Sequence, residues 1–136
     1  MNPLPRRIRV LVVDDSAAIR GALRELLETD RDFQIVGFAA SAEEAIALAV
    51  RVKPDVVTMD LTLPRGNGLD ATRVLKGFFP ALRVVIVSLS DGASVHRAVF
   101  EASADAFVHK SVMADRLLDA LKSDSHGVVS SGTGGF

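Results

Sequence analysis

The 136-residue chain is predicted to fold as a doubly wound α/β domain, a parallel five-stranded sheet with helices on both faces. Three observations carry the prediction. Apolar, β-branched runs alternate strictly with stretches of helical period. Those runs are continuously apolar instead of alternating apolar with polar, as strands covered on both faces must be. The length suits one compact domain.

The elements follow in order. "IRVLVV" (Ile8–Val13) is the first strand, and Ser16 is placed to cap a helix whose apolar stripe is Ile19, Leu23, Leu26 and Leu27. "FQIVGFA" (33–39) is the second strand. Ser41 then caps a helix, with Glu44 three residues on as a capping box and a stripe at Ala45, Ile46, Ala49 and Val50. "DVVTM" (55–59) is the third strand. A helix from about Gly68 carries Ala71, Leu75, Phe78 and Phe79, and Pro80 stops it. "RVVIVS" (83–88) is the fourth strand, followed by a helix with Val95, Ala98, Val99 and Ala102 on one face. "DAFVH" (105–109) is the fifth, and Ser111 is expected to cap a last helix striped by Ala114, Leu117, Leu118 and Leu121. The domain is expected to run over residues 1–123. The remaining 124–136, rich in Gly and Ser and without periodicity, read as a flexible tail or linker stub.

Composition removes several function classes. The net charge is −1, so no global field draws the chain to nucleic acid or an anionic membrane. The basic cluster Arg6, Arg7 and Arg9 reads as a solvated flank of the first strand. With no Trp or Tyr, and phenylalanines scattered, a stacking platform for single strands is not expected, nor is direct nucleic-acid binding. No apolar run approaches the roughly 20 residues of a membrane span, and "MNPLPRRIRV" lacks the apolar region of a secretion signal. There is no cysteine, hence neither a disulfide framework nor a thiolate nucleophile. A cytoplasmic protein without membrane contact is expected.

In open parallel sheets, ligands gather outside the carboxyl ends of the strands. The residues expected there are Asp14 and Asp15 after strand one, Asp60 after strand three, Ser88 at the end of strand four and Lys110 after strand five. Each alone has an ordinary explanation. Asp14 and Asp15 would suit a helix start, Lys110 a solvated position, and Ser88 a local backbone bond. Together they describe a chemistry. Clustered carboxylates repel unless a cation neutralises them, and an oxygen-only ligand set suits Mg²⁺, with Mn²⁺ as a substitute. A carboxylate held beside such an ion can attack phosphorus and become an acyl phosphate. The new phosphoryl oxygens then need Lys110 as a point charge and Ser88 as a hydroxyl donor.

These residues carry a resemblance. "VLVVDDS", "MDLTLPRGNGL" with Asp60, Pro64 and Gly68 in D-x-x-x-P-x-x-x-G spacing, "VVIVS" and "AFVHK" together resemble the receiver domain of bacterial two-component response regulators, over about residues 8–122. The resemblance implies a (βα)5 flavodoxin-like fold, with Asp60 as phosphoacceptor. Asp15 would contact the metal directly and Asp14 would assist, often through water; the backbone carbonyl of Thr62 would complete the coordination. Lys110 would bind the phosphoryl group, Ser88 would move toward it, and Phe107, three residues before the lysine, would be the switch aromatic. The phosphodonor would be a sensor histidine kinase or phosphotransfer protein. The response would pass through the face of helix four, strand five and helix five to a downstream protein or an output domain beyond this chain. By this reading the chain is a regulatory phosphoacceptor, an enzyme only toward its own phosphotransfer and dephosphorylation.

Several positions depart from the family pattern. Leu89 stands where many relatives carry Ala or Gly, Ser103 where Gly usually precedes "AD", and Phe107 where Tyr is frequent. Ser103 is expected to alter the turn into strand five, and Leu89 to cover the phosphoryl site. Gly66-Asn67-Gly68-Leu69-Asp70-Ala71 matches a dinucleotide-binding G-x-G-x-x-A, but it lies too far beyond the strand for that role. The three histidines, His96, His109 and His126, lack metal spacing and read as surface residues. Other classes stand beside this reading: a phosphorylation-independent interaction module with the receiver fold, the receiver part of a longer DNA-binding transcriptional regulator, and an aspartate-nucleophile phosphatase. The last of these typically has a second aspartate where Thr62 stands.

Overall fold

Valine and isoleucine build the sheet. The computed structural model describes residues 6–64 and 66–122, and the expected tail, with His126, lies outside them. The strands are β1 (Ile8–Val13), β2 (Phe33–Ala39), β3 (Val56–Met59), β4 (Arg83–Ser88) and β5 (Ala106–His109). The helices are α1 (Ala17–Glu28), α2 (Ala42–Val52), α3 (Gly68–Phe78), α4 (Ala93–Glu101) and α5 (Met113–Lys122). All strand pairs are parallel, in the order β2-β1-β3-β4-β5. This is the doubly wound, flavodoxin-like fold that the sequence predicts.

The order places a topological switch point between β1 and β3, because the chain leaves β1 toward one edge and returns on its other side. Register there is continuous from Val10↔Val56 to Val13↔Met59, so Asp14 and Asp60 both leave the sheet at the same level. Alternate strand residues feed two cores. Leu11, Val13, Val57, Met59, Val84, Ile86 and Phe107 meet α2, α3 and Val99 of α4. Val10, Val12, Val56, Val85, Val87, Ala106 and Val108 meet Leu23 and Leu27 of α1 and Leu117, Ala120 and Leu121 of α5. Each fully buried leucine contributes about 2 kcal/mol.

The caps follow the sequence with one exception. The Ser16 hydroxyl accepts the Ile19 N–H, and Ser41 accepts that of Glu44, whose carboxylate reaches back to the Ala40 N–H at 2.7 Å. Asn67, inside the G-x-G-x-x-A decoy, caps α3 through the Asp70 N–H. Ser111 caps no α-helix. It lies within a 3₁₀ turn, Lys110–Val112, and its own N–H is accepted by the His109 ring, which takes over the capping role. Three expected core positions face outward: Val50 is 55% exposed, Phe78 is 74% exposed, and Ala114 is exposed while Ala120 is buried in its place. Ser103 adopts φ 67°, and Ser103 N–H to Phe100 O with Ala104 N–H to Val99 O closes a glycine-type helix end. The serine keeps the turn that glycine would make.

Candidate functional site

Four of the five strand ends carry the residues of the site, and β2 contributes only a backbone carbonyl. The Asp14 N–H donates to the Ala39 carbonyl and the Asp60 N–H to the Val13 carbonyl, so the sheet ladder itself sets both aspartates. Ligand oxygens of Asp14, Asp15 and Asp60 all lie within 4.8 Å of one another. Asp14 and Asp60 are buried and Asp15 is exposed, a cluster with one open side. Lys110, from the end of β5, puts Nζ 2.8 Å from Asp14 Oδ2 and 3.4 Å from Asp60 Oδ1. Ser88 is buried, and its Oγ accepts the Ser90 N–H at 3.1 Å. Phe107 is fully buried, with the His96 ring against it at 4.7 Å between centroids. The structure thus brings Asp14, Asp15, Asp60 and Lys110 together. Ser88 is turned into its own loop, and Phe107 is buried in the core that the sheet shares with α4.

The electrostatics are those of an acidic pocket held by one ammonium. Burial, then the charge of Asp14, pushes the Asp60 carboxyl above its ordinary range, against Lys110 and the Thr62 N–H, which hydrogen-bonds the carboxylate. Burial disfavours the Lys110 ammonium, but the hydrogen bond to Asp14 and the charge of Asp60 outweigh it and raise its pKa. Three carboxylates face one ammonium, so the cluster is short of positive charge. Its oxygen-only donors and open side fit a hard divalent cation that keeps several waters.

The loop after β3 is shaped by α3. The Gly68 N–H donates to the Leu61 carbonyl at 3.1 Å, Thr62 pairs with Asn67, and the Thr72 hydroxyl donates to the Gly68 carbonyl. A Cβ at residue 68 would stand 2.0 Å from the Asp60 carbonyl oxygen. Only glycine allows α3 to start so close to the acidic strand end.

Three contacts were not legible in the sequence. Arg20 donates from Nη1 to the Asp14 carbonyl at 2.7 Å, tying α1 to the acidic turn. Its one signal is a basic residue a turn into a helix that begins at two aspartates. His96 is not a surface residue: its side chain is 14% exposed and bonds Asp91 at 2.7 Å. His109 is only partly exposed, and its Nε2 lies 2.9 Å from the Leu89 carbonyl.

Residues 10–122 match the family model described as response regulator receiver domain. A protein-glutamate methylesterase/protein-glutamine glutaminase of Pyrococcus abyssi is 41% identical over 106 residues, 77% of this chain and 29% of that protein. The transcriptional regulatory protein DegU of Brevibacillus brevis is 30% identical over 116 residues, 85% of this chain and 49% of that protein. The chain therefore spans half or less of these two relatives. Among solved structures, the response regulator domain of Thermotoga maritima CheB is 34% identical with a TM-score of 0.79, covering 88% of this chain and all of that one.

Proposed function

The chain belongs to the response regulator receiver domain family, and from that premise we propose that it is a switch phosphorylated on Asp60 by a sensor histidine kinase or phosphotransfer protein. The observation that carries the proposal is the convergence of Asp14, Asp15 and Asp60 within 4.8 Å, with the Lys110 ammonium on two of them. Asp60 is the acceptor because it ends the strand beside the switch point and is buried next to both Lys110 and Asp14. One Asp60 carboxylate oxygen forms the bond to phosphorus. The bond from phosphorus to the donor nitrogen, or to the oxygen of a small acyl phosphate, breaks, and the donor leaves with that electron pair.

Asp14, Asp15 and Asp60, with the Thr62 carbonyl, would hold Mg²⁺ or Mn²⁺. When bound, the ion offsets the carboxylate charge and that of the incoming phosphoryl oxygens. Lys110 transfers its hydrogen bonds from the carboxylates to a phosphoryl oxygen, and Arg20 keeps Asp14 in register meanwhile. Ser88 leaves its bond with Ser90 and donates to the phosphoryl group. Phe107 repacks without a hydroxyl of its own, and the change passes to a protein partner through α4, β5 and α5. No helix among the described residues is long and apolar enough to cross a membrane, in keeping with a cytoplasmic site of action.

The share of each relative that the chain covers favours a second reading, in which this receiver serves a longer regulator with an output unit such as a methylesterase or a DNA-binding transcriptional module. Intact-protein mass after incubation with acetyl phosphate tests the core of the proposal. One phosphoryl group is expected on the wild type with Mg²⁺, and none with EDTA or in Asp60→Asn. Failure with acetyl phosphate and with a panel of histidine kinases would favour the phosphorylation-independent interaction module.

A further inference from the structure

The loop that carries Ser88 is held at both ends by imidazoles. At one end, His109 Nε2 lies 2.9 Å from the Leu89 carbonyl; at the other, His96 Nε2 lies 2.7 Å from Asp91 Oδ1, which also accepts the Gly92 N–H. Between them the Ser90 N–H closes on the Ser88 hydroxyl. The partners of His109 assign its tautomer. A carbonyl only accepts, so Nε2 carries the hydrogen, while Nδ1 has none and faces two donors of Ser111, its hydroxyl at 2.7 Å and its N–H at 3.1 Å. Both ring nitrogens are thus matched in the resting loop.

We infer that His109 is a positioning residue, a latch that holds the Ser88 loop in its resting place and that phosphorylation must open. The inference rests on the receiver reading above. Ser88 pairs with His109 in the β4–β5 register, and Lys110 follows His109 directly. The strand end that holds the phosphoryl-binding ammonium therefore also holds the loop that must travel. If Ser88 swings toward Asp60, the Leu89 carbonyl next to it moves as well, while His109 is kept back by Ser111 and by Lys110, which stays on the acidic cluster. The Nε2–H to Leu89 bond is the contact this motion stretches. Its loss costs the resting state and leaves the phosphorylated state untouched, so removing it shifts the population toward the latter.

Titration with beryllofluoride and Mg²⁺, followed by the amide resonances of the Ser88–Gly92 loop, tests this. His109→Leu removes both ring functions. His109→Asn retains an acceptor near Nδ1 but is too short to reach Leu89, and His109→Gln retains a donor near Nε2. The leucine and asparagine variants are expected to bind the analogue about five-fold tighter than the wild type, the factor one ordinary hydrogen bond supplies. Glutamine is expected to restore the wild-type affinity. In the wild type, the imidazole ¹H–¹⁵N correlations should show the Nε2–H tautomer, with that resonance shifting at saturation. Equal affinity in the leucine variant, tightening in the glutamine variant, or an unmoved imidazole resonance would each overturn the latch. A wild type that binds no beryllofluoride would instead refute the phosphoacceptor reading, and the latch with it.

Discussion

Gly68→Ala and Gly21→Ala make the same chemical change on two helices and should move stability in opposite directions. A Cβ on residue 68 would meet the Asp60 carbonyl oxygen at 2.0 Å, its carbon at 2.9 Å and Met59 Cγ at 3.0 Å. Ordinary C···O contacts begin at about 3.3 Å, so the start of α3 and the end of β3 must part by roughly 1 Å. Two of the obstructing atoms are backbone, and no side-chain rotamer can relieve them. The strain costs about 3 kcal/mol, offset by no more than about 1 kcal/mol of helix propensity. At Gly21, in the middle of α1, the added methyl meets nothing within 4 Å, and only the propensity gain of about 1 kcal/mol remains.

Urea unfolding followed by far-ultraviolet circular dichroism measures both. At a slope of about 2 kcal/mol/M, the two midpoints should separate by about 1.5–2 M, with the wild type between them. The same displacement carries Asp60 away from Asp14 and Lys110, so Gly68→Ala should also slow phosphorylation by acetyl phosphate, and Gly21→Ala should not. A Gly68→Ala midpoint within about 0.3 M of wild type would refute the close-approach argument, as would an equal fall in both variants.

Further outcomes follow from single contacts. Thr58 Oγ1 is buried without a hydrogen-bond partner, so Thr58→Val should stabilise the domain by about 1 kcal/mol in the same urea assay; a loss would mean the hydroxyl is engaged. Ser103→Gly relieves a left-handed serine at about 1–2 kcal/mol but loosens the unfolded chain, for a net gain of about 0.5–1 kcal/mol in thermal unfolding. Leu89 is 67% exposed beside Ser88; if closure of the Ser88 loop on phosphorylation carries it over the site, Leu89→Ala should shorten the lifetime of phospho-Asp60, measured by mass after donor removal. Because the Asp60 pKa is raised on folding, the native state binds more protons between the unfolded value and the raised one, and stability falls as pH climbs through that window. Asp60→Asn in EDTA should therefore outlast wild type in urea at pH 7 and match it below about pH 4. Equal stability at pH 7 would refute the burial argument.

What the sequence makes legible here is whatever depends on one element at a time. Asp60 stands out because a buried, β-branched strand has no reason to stop on a carboxylate, and the alternation of strands and helices fixes at which end of the sheet it emerges. The helical stripes are weaker guides. A period of 3.6 marks a face but not its edges, so Val50 and Phe78, each at the margin of a stripe, turn to solvent, while Ala120, three residues after Leu117, shares the buried face of α5 with Leu117 and Leu121. Ser111 fails as a cap for a different reason: its hydroxyl lies 2.7 Å from Nδ1 of the neighbouring imidazole, which also accepts its N–H, and the chain takes a 3₁₀ turn before α5 begins. The packing of His96 on Phe107 and the bonds of His109 and Arg20 cross between elements. They exist only because β5 lies beside β4 and because α1 begins at the acidic turn after β1. Histidine in isolation is ambiguous among surface, ligand and core, and composition cannot resolve it. Only the sheet order puts the His109 ring against the Leu89 carbonyl, which is why the acidic centre could be read along the chain and the loop that serves it could not.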